Sequence, residues 1–180
     1  NKPDDLFAIK TMGFRGEAMS SMAAIAHIEM KSKLTDKELG THIFIEGSQV
    51  KKQDDCSCSN GTSISIKNLF YNVPARRNFL KSDKVETRHI MEQFSRIALA
   101  NPDIKMSMYL DDVEHFHLEK SNKRQRIVNV TGAKSNQKLV PIKEETTLVN
   151  LSGFIGKPEF CKRTRGEQYF FVNNRYIKSP

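Results

Sequence analysis

Three cysteines among 180 residues leave at least one thiol unpaired, which argues against a disulfide framework and for reduced thiols in a cytoplasmic setting. No apolar run approaches the roughly 18 residues that a membrane-spanning helix needs. Internal repeats and low-complexity stretches are also missing, so the chain reads as ordinary packed domains rather than a solenoid or a tail. What is present fits that reading. With 38% hydrophobic residues the chain can bury a substantial core in one or two domains. Lys and Arg outnumber Asp and Glu by 29 to 21, a net charge of +8, which favours polyanionic partners without identifying one.

The segment Gly13-Phe14-Arg15-Gly16-Glu17-Ala18-Met19 carries the most chemistry. Two glycines bracket an arginine just before residues with helical apolar spacing. Glycine lets the backbone approach an oxyanion closely and adopt positive φ, and the first N–H groups of a helix are unpaired donors with positive partial charge. Phe14, Ala18, Met22, Ile25 and Ala26 fall three or four apart, predicting a helix from about Arg15 to His27. Glu17 in the first turn complements the helix dipole, a structural role.

A second segment follows, Gly61-Thr62 and then Leu69-Phe70-Tyr71-Asn72-Val73-Pro74-Ala75-Arg76-Arg77-Asn78-Phe79-Leu80. In spacing and order the two segments resemble the N-terminal ATPase region of the MutL family of DNA mismatch repair proteins. That family carries G-F-R-G-E-A-L, then G-T and a strand, then L-F-x-N-x-P-A-R-x-x-F-L. Met19 stands in place of the leucine. A third match, Phe171-Val172-Asn173-Asn174-Arg175, is similar to the family's F-V-N-G-R, with Asn174 in place of glycine.

The resemblance implies an α/β protein, an α+β sandwich. Residues 1–122 would be the C-terminal part of a GHKL or Bergerat-type ATPase domain, and residues 123–180 the start of a domain resembling ribosomal protein S5 domain 2. It further implies that Gly13, Phe14, Arg15 and Gly16 hold ATP phosphates and that the Thr62 hydroxyl bonds the adenine or an adjacent water. Mg2+ would accompany the nucleotide. The family's early glutamate, asparagine and D-x-G-x-G loop have no counterpart before Gly13, so the sequence reads as an internal fragment beginning inside the ATP lid. Without that glutamate as general base and that asparagine as magnesium ligand, these residues alone are expected not to hydrolyse ATP.

Further along, Ile28 with Met30, Ile43 with Ile45, and Ile64 with Ile66 alternate as strands, while Lys51 to Asn60 reads as an exposed loop. Pro74 opens a short helix. Asp83 with Glu86 suggests a capping box for a long helix to Ala100, with Ile90, Phe94, Ile97 and Ala98 buried. Asp111-Asp112 and Asn173-Asn174 suit tight turns, closing hairpins from Ile104 to Glu119 and around Gln168 to Val172. Leu148 to Ile155 reads as another strand. The basic run Lys120 to Arg126, poor in apolar residues, is the linker expected at the domain boundary near Asn122.

By resemblance to the N-G-R arginine, Arg175 is the expected centre of DNA binding, with Lys162, Arg163 and Arg165 as neighbours. Asn72, Pro74, Ala75, Arg76, Phe79 and Leu80 read mainly as architecture, with Arg76, Arg77 and Lys81 as the alternative DNA surface. Cys56-x-Cys58 and His115-x-His117 lack the wider paired spacing of four-ligand zinc sites, so no metal is assigned. The family implies ATP-driven dimerisation, duplex or single-stranded DNA, and other repair proteins as partners: a mismatch sensor and a strand-nicking or helicase partner. A bacterial, nucleoid-associated setting follows. The competing expectation is a non-catalytic DNA- or protein-binding module. A chaperone or topoisomerase relative is disfavoured by Phe70 to Leu80.

Overall fold

The computed structural model describes residues 16–161 and 167–178. The chain divides into two compact units, Asn1–Ser82 and Asp83–Pro180. Both mix helices with antiparallel strands.

In the first unit, helix α1 (Ala18–Ala23) leads into β1 (His27–Lys33), and β2 (Gly40–Glu46), β3 (Gln49–Cys56) and β4 (Gly61–Lys67) complete one sheet in the order β3-β2-β1-β4. Register sets Ile28 between Ile45 and Ile66, and Met30 between Ile43 and Ile64, so the alternating apolar residues share one face. Ala23, Ala26 and Ile28 are the buried core. The opposite face is charged. Glu29 lies 3.3 Å from both Lys67 and His42, while Asp54 lies 2.8 Å from Lys52 and 3.4 Å from His42. The Lys67 ammonium holds the Glu29 carboxyl below its usual range, and Lys52 does the same for Asp54.

Two expectations change here. The helix expected to reach His27 stops at Ala23, because His27 already pairs with Lys67 in the β1–β4 ladder. The polar stretch from Lys51 is not a loop as far as Cys56: it pairs with β2 as an edge strand, and an edge strand open to solvent carries no hydropathic alternation. Gly47 and Ser48, with φ of 56° and 62°, make the two-residue turn into it. Helix α2 (Pro74–Asn78) begins at Pro74 as its fixed φ favours.

The second unit opens with α3 (Asp83–Ala100). Asp83 occupies the helix itself rather than the cap, so it and Glu86 act as first-turn carboxylates facing the dipole. Ile90 and Ile97 are exposed, and the buried positions are Ser95 and Ala98. Helix α4 (Lys123–Thr131) packs against α3. A hairpin of β5 (Met106–Leu110) and β6 (Val113–Leu118) supplies the buried Met108 and Leu118, and its Phe116 stacks on Phe94 of α3 at 5.2 Å. Asp111 and Asp112 close it at φ of 48° and 62°. Two further hairpins follow, β7 (Leu139–Glu145) with β8 (Asn150–Gly156), and β9 (Phe170–Val172) with β10 (Arg175–Ile177). The last docks on α3, where the Arg96 guanidinium lies 4.2 Å from the Tyr176 ring centroid.

The basic run at Lys120–Arg126 is not a linker. Asn122 caps α4, its side-chain oxygen accepting the Gln125 N–H at 2.9 Å, and Arg126 is fully buried. Its guanidinium donates to the carbonyls of Pro102, Ile104 and Glu119 at 2.8, 2.6 and 3.1 Å. Desolvation pulls the Arg126 pKa down, opposed by the charge of Asp103. A composition of charges and amides hid a core element here: one guanidinium nitrogen, Nη2, serves three backbone oxygens that need a donor, while Nε and Nη1 are buried without a hydrogen-bond partner among the described residues.

Arg126→Ala is expected to destabilise the chain by about 1–3 kcal/mol for each carbonyl left unsatisfied and buried, whereas Lys123→Ala on the same helix should change little. Urea denaturation of both variants checks this, and equal midpoints would mean that Arg126 does not hold the unit together.

Candidate functional site

The last carbonyls of a helix have no partner within it. In α1 and its exit, three of them are met by donors far along the chain. Ser48 N–H bonds Ala23 O at 2.9 Å, the Asn72 side-chain amide bonds Ala24 O at 2.8 Å, and Phe70 N–H bonds Ile25 O at 2.7 Å. Asn68 adds a bond to the His27 ring at 3.0 Å, and the Tyr71 ring sits 4.3 Å from that ring. Phe70 adopts φ of 61°, a left-handed conformation that a bulky residue adopts only under constraint. The segment expected to be architecture is thus a clamp on the C-terminal end of the helix that follows the glycine-arginine loop.

Gly16 stands just before α1 with φ of 67°. A Cβ at this position would meet nothing within 4 Å, so conformation rather than crowding favours glycine. Glu17 occupies the N-cap position without a side-chain capping bond. Gly13, Phe14 and Arg15 lie outside the described residues. Thr62 lies on β4, on the same face as Ile64 and Ile66, and pairs across the strands with Ser32. Their hydroxyl oxygens are 2.8 Å apart. Ser32 sits between two lysines and carries no motif signal, and only the register of β1 on β4 shows it facing Thr62.

Arg175 begins β10 directly after a turn in which Asn173 and Asn174 take φ of 49° and 62°, and it is half-buried. Lys162, Arg163 and Arg165 lie outside the described residues. Arg76 and Arg77 are exposed on α2. His117 is held by carboxylates, Glu114 at 2.8 Å and Glu119 at 2.9 Å, which raise its pKa. Among the described residues no group of three His, Cys, Asp or Glu is placed to hold a metal ion, and no helix is long and apolar enough to cross a membrane.

A family model for the C-terminal domain of DNA mismatch repair protein matches residues 127–180. The DNA mismatch repair protein MutL of Christiangramia forsetii is 59% identical over 177 residues, covering 98% of this chain and 29% of that protein. MutL of Flavobacterium psychrophilum is 58% identical over 176 residues, with the same coverage. The chain belongs to the MutL family. It spans less than a third of the length of these curated relatives. Its fold is also similar to the Aquifex aeolicus MutL ATPase domain complexed with ADP, with a TM-score of 0.76 and 25% identity, over 99% of this chain and 67% of that one. The N-terminal domain of a DNA repair protein shares the fold at a TM-score of 0.78, with 21% identity over 98% of this chain and 60% of its own. MutL membership accounts for the coexistence of the glycine-arginine loop with the Asn72 clamp.

Asn72→Ala removes the donor to Ala24 O and should destabilise the chain by about 0.5–1.5 kcal/mol. Asn72→Asp should not rescue it, since a carboxylate cannot donate. Unchanged denaturation midpoints in both variants would show that the motif does not hold α1.

Proposed function

We propose that this chain forms part of the ATP-binding and hydrolysing region of an intact mismatch repair protein, in which nucleotide binding drives N-terminal dimerisation and coordinates repair on DNA. The observation that carries the reading is the similarity, along nearly the whole chain, to an ATPase domain complexed with ADP. Gly13, Phe14, Arg15 and Gly16 hold the phosphates, with Mg2+, and Thr62 faces the adenine end, its hydroxyl oriented by Ser32. The left-handed Gly16 and its open surroundings suit close approach of an anion to the backbone. In sequence the family domains divide near Asn122, a reading supported by the family model beginning at residue 127, although the Arg126 hydrogen bonds join both sides of that point within one compact unit. Other repair proteins, a mismatch sensor and a nicking or helicase partner, complete the assembly at the bacterial nucleoid.

DNA contact centres on Arg175, with Lys162, Arg163 and Arg165 beside it. An arginine leaving a two-residue turn has its backbone fixed by the strand pair, which supports its reaching a phosphate from a defined base.

In the intact protein, Arg15→Ala should weaken ATP-analogue binding tenfold or more, since a charge-assisted hydrogen bond contributes about 1.5–3 kcal/mol. Its thermal melt should stay unchanged. Isothermal titration measures the first, and an unaltered dissociation constant would reduce the loop to a turn, leaving the binding-module reading. For DNA, Arg175→Glu should weaken duplex binding and flatten log K against log salt by about 0.9 or more. Superimposed lines for variant and wild type would move the surface to Arg76, Arg77 and Lys81.

A further inference from the structure

Between Glu119 and Glu144 the chain contains seven Lys and Arg residues and no carboxylate. One of these, Arg126, is the buried hub. Most of the rest mark a surface in which cations are positioned by neutral groups. Lys123 Nζ donates to Ser152 Oγ of β8 at 3.2 Å. Arg124 donates from Nε to Asn136 Oδ1 at 2.9 Å and from Nη2 to Asn136 O at 2.7 Å, and its guanidinium lies 5.8 Å from the Phe154 ring centroid. Lys138 lies 5.1 Å from the Phe160 ring centroid, and its carbonyl accepts the Lys157 N–H at 2.8 Å. Lys134 lies exposed on the 3-10 helix Ala133–Lys138, which packs on α4.

Other lysines behave differently. Lys52, Lys105 and Lys143 each hold a carboxylate, at 2.8, 2.5 and 2.7 Å. A cation already paired gains little by moving to a phosphate, because one ion pair is exchanged for another. An unpaired, pre-positioned cation releases no partner and lets the polyanion shed its counterions. Among the described residues, Lys123, Arg124, Lys134, Lys138 and Lys157 have no ion-pair partner. The hydrogen bonds and ring contacts of Lys123, Arg124 and Lys138 position these three without neutralising them.

We propose that the face formed by α4, the 3-10 helix after it and the start of the segment following β8 binds the phosphodiester backbone of DNA through Lys123, Arg124, Lys134, Lys138 and Lys157. The site is separate from Arg175, and it rests on the reading that the protein contacts DNA. Recognition is independent of base sequence, because ammonium groups on exposed stems meet phosphates and carry no base-reading geometry.

The test compares two triple variants of the full chain with equal reduction of charge: K123Q/K134Q/K157Q, which removes unpaired cations, and K52Q/K105Q/K143Q, which removes paired ones. Fluorescence anisotropy with a labelled duplex is measured across salt concentrations, alongside Arg175→Glu and thermal melts. The first triple variant should bind roughly tenfold or more weakly at low salt and flatten the slope by up to about 2.7, at about 0.9 for each duplex phosphate no longer neutralised. The second should stay close to wild type, and both melts should be unchanged. A single-stranded probe of the same length distinguishes the form bound, since each phosphate then contributes about 0.7. Equal flattening in both triples would reduce the effect to net charge and overturn the proposal. Lines for the first triple that superimpose on wild type, while Arg175→Glu weakens binding, would overturn this site and leave the DNA reading standing. Absence of duplex binding by wild type, with binding of poly-glutamate in its place, would overturn both.

Discussion

The first unit depends on how the end of a six-residue helix finds hydrogen-bond partners. Alone, α1 is far below the length at which a helix is stable in water, and only Ala23 within it is buried. Its packing area is too small to define its position. The three carbonyls at its exit are instead taken by the β2–β3 turn and by the Phe70–Asn72 segment. These donors come from residues separated by up to 48 positions in sequence, so the sheet must be folded before the helix end is complete. The left-handed Phe70 follows from the same demand: its N–H reaches Ile25 O only if the chain turns sharply there.

The second unit meets a similar demand with opposite chemistry. Between α3 and β5, and again after β6, the chain leaves the ladders of regular structure and exposes the carbonyls of Pro102, Ile104 and Glu119 to the interior. One guanidinium serves all three. A neutral amide suffices for Ala24 O because that bond lies at the surface. In the core, where several acceptors converge, a multi-donor cation is favoured, since the carbonyl dipoles offset part of its desolvation. Arg126 therefore belongs to the fold, and the unpaired cations around it to the surface.

What was legible in the sequence follows from range. Alternation marked β1, β2 and the faces of Ile64 and Ile66, and the turn residues Asp111-Asp112 and Asn173-Asn174 adopt the positive φ their types tolerate. Properties set by distant partners were illegible. β3 carries polar residues on both faces and is a strand only because β2 offers it a ladder. The run to Arg126 resembles a linker in composition, yet its last residue is a fully buried charge. In α3 the apolar spacing pointed to Ile90, Phe94, Ile97 and Ala98; Ala98 is buried as expected, whereas Ile90 and Ile97 are exposed and the polar Ser95 is buried instead. For the candidate site, the motif residues were visible but their division of labour was not: Asn72 acts on a helix end and Ser32 on Thr62, and both contacts need the sheet register.

The same geometry separates stability from ligand affinity. From Gly16 to Met22 the chain contributes no buried residue, whereas Ala23, Ala26 and Ile28 anchor the other end. Pinning is thus concentrated at the exit of α1, and its entrance carries the left-handed glycine with open space around it. On the proposed nucleotide reading the phosphates meet this entrance, away from the clamp at Ala23–Ile25. Substitutions at the clamp loosen the helix on which the entrance is built, so they reduce affinity only in company with stability. A rigid far end is what allows a short, otherwise unstable helix to present backbone donors in a fixed direction.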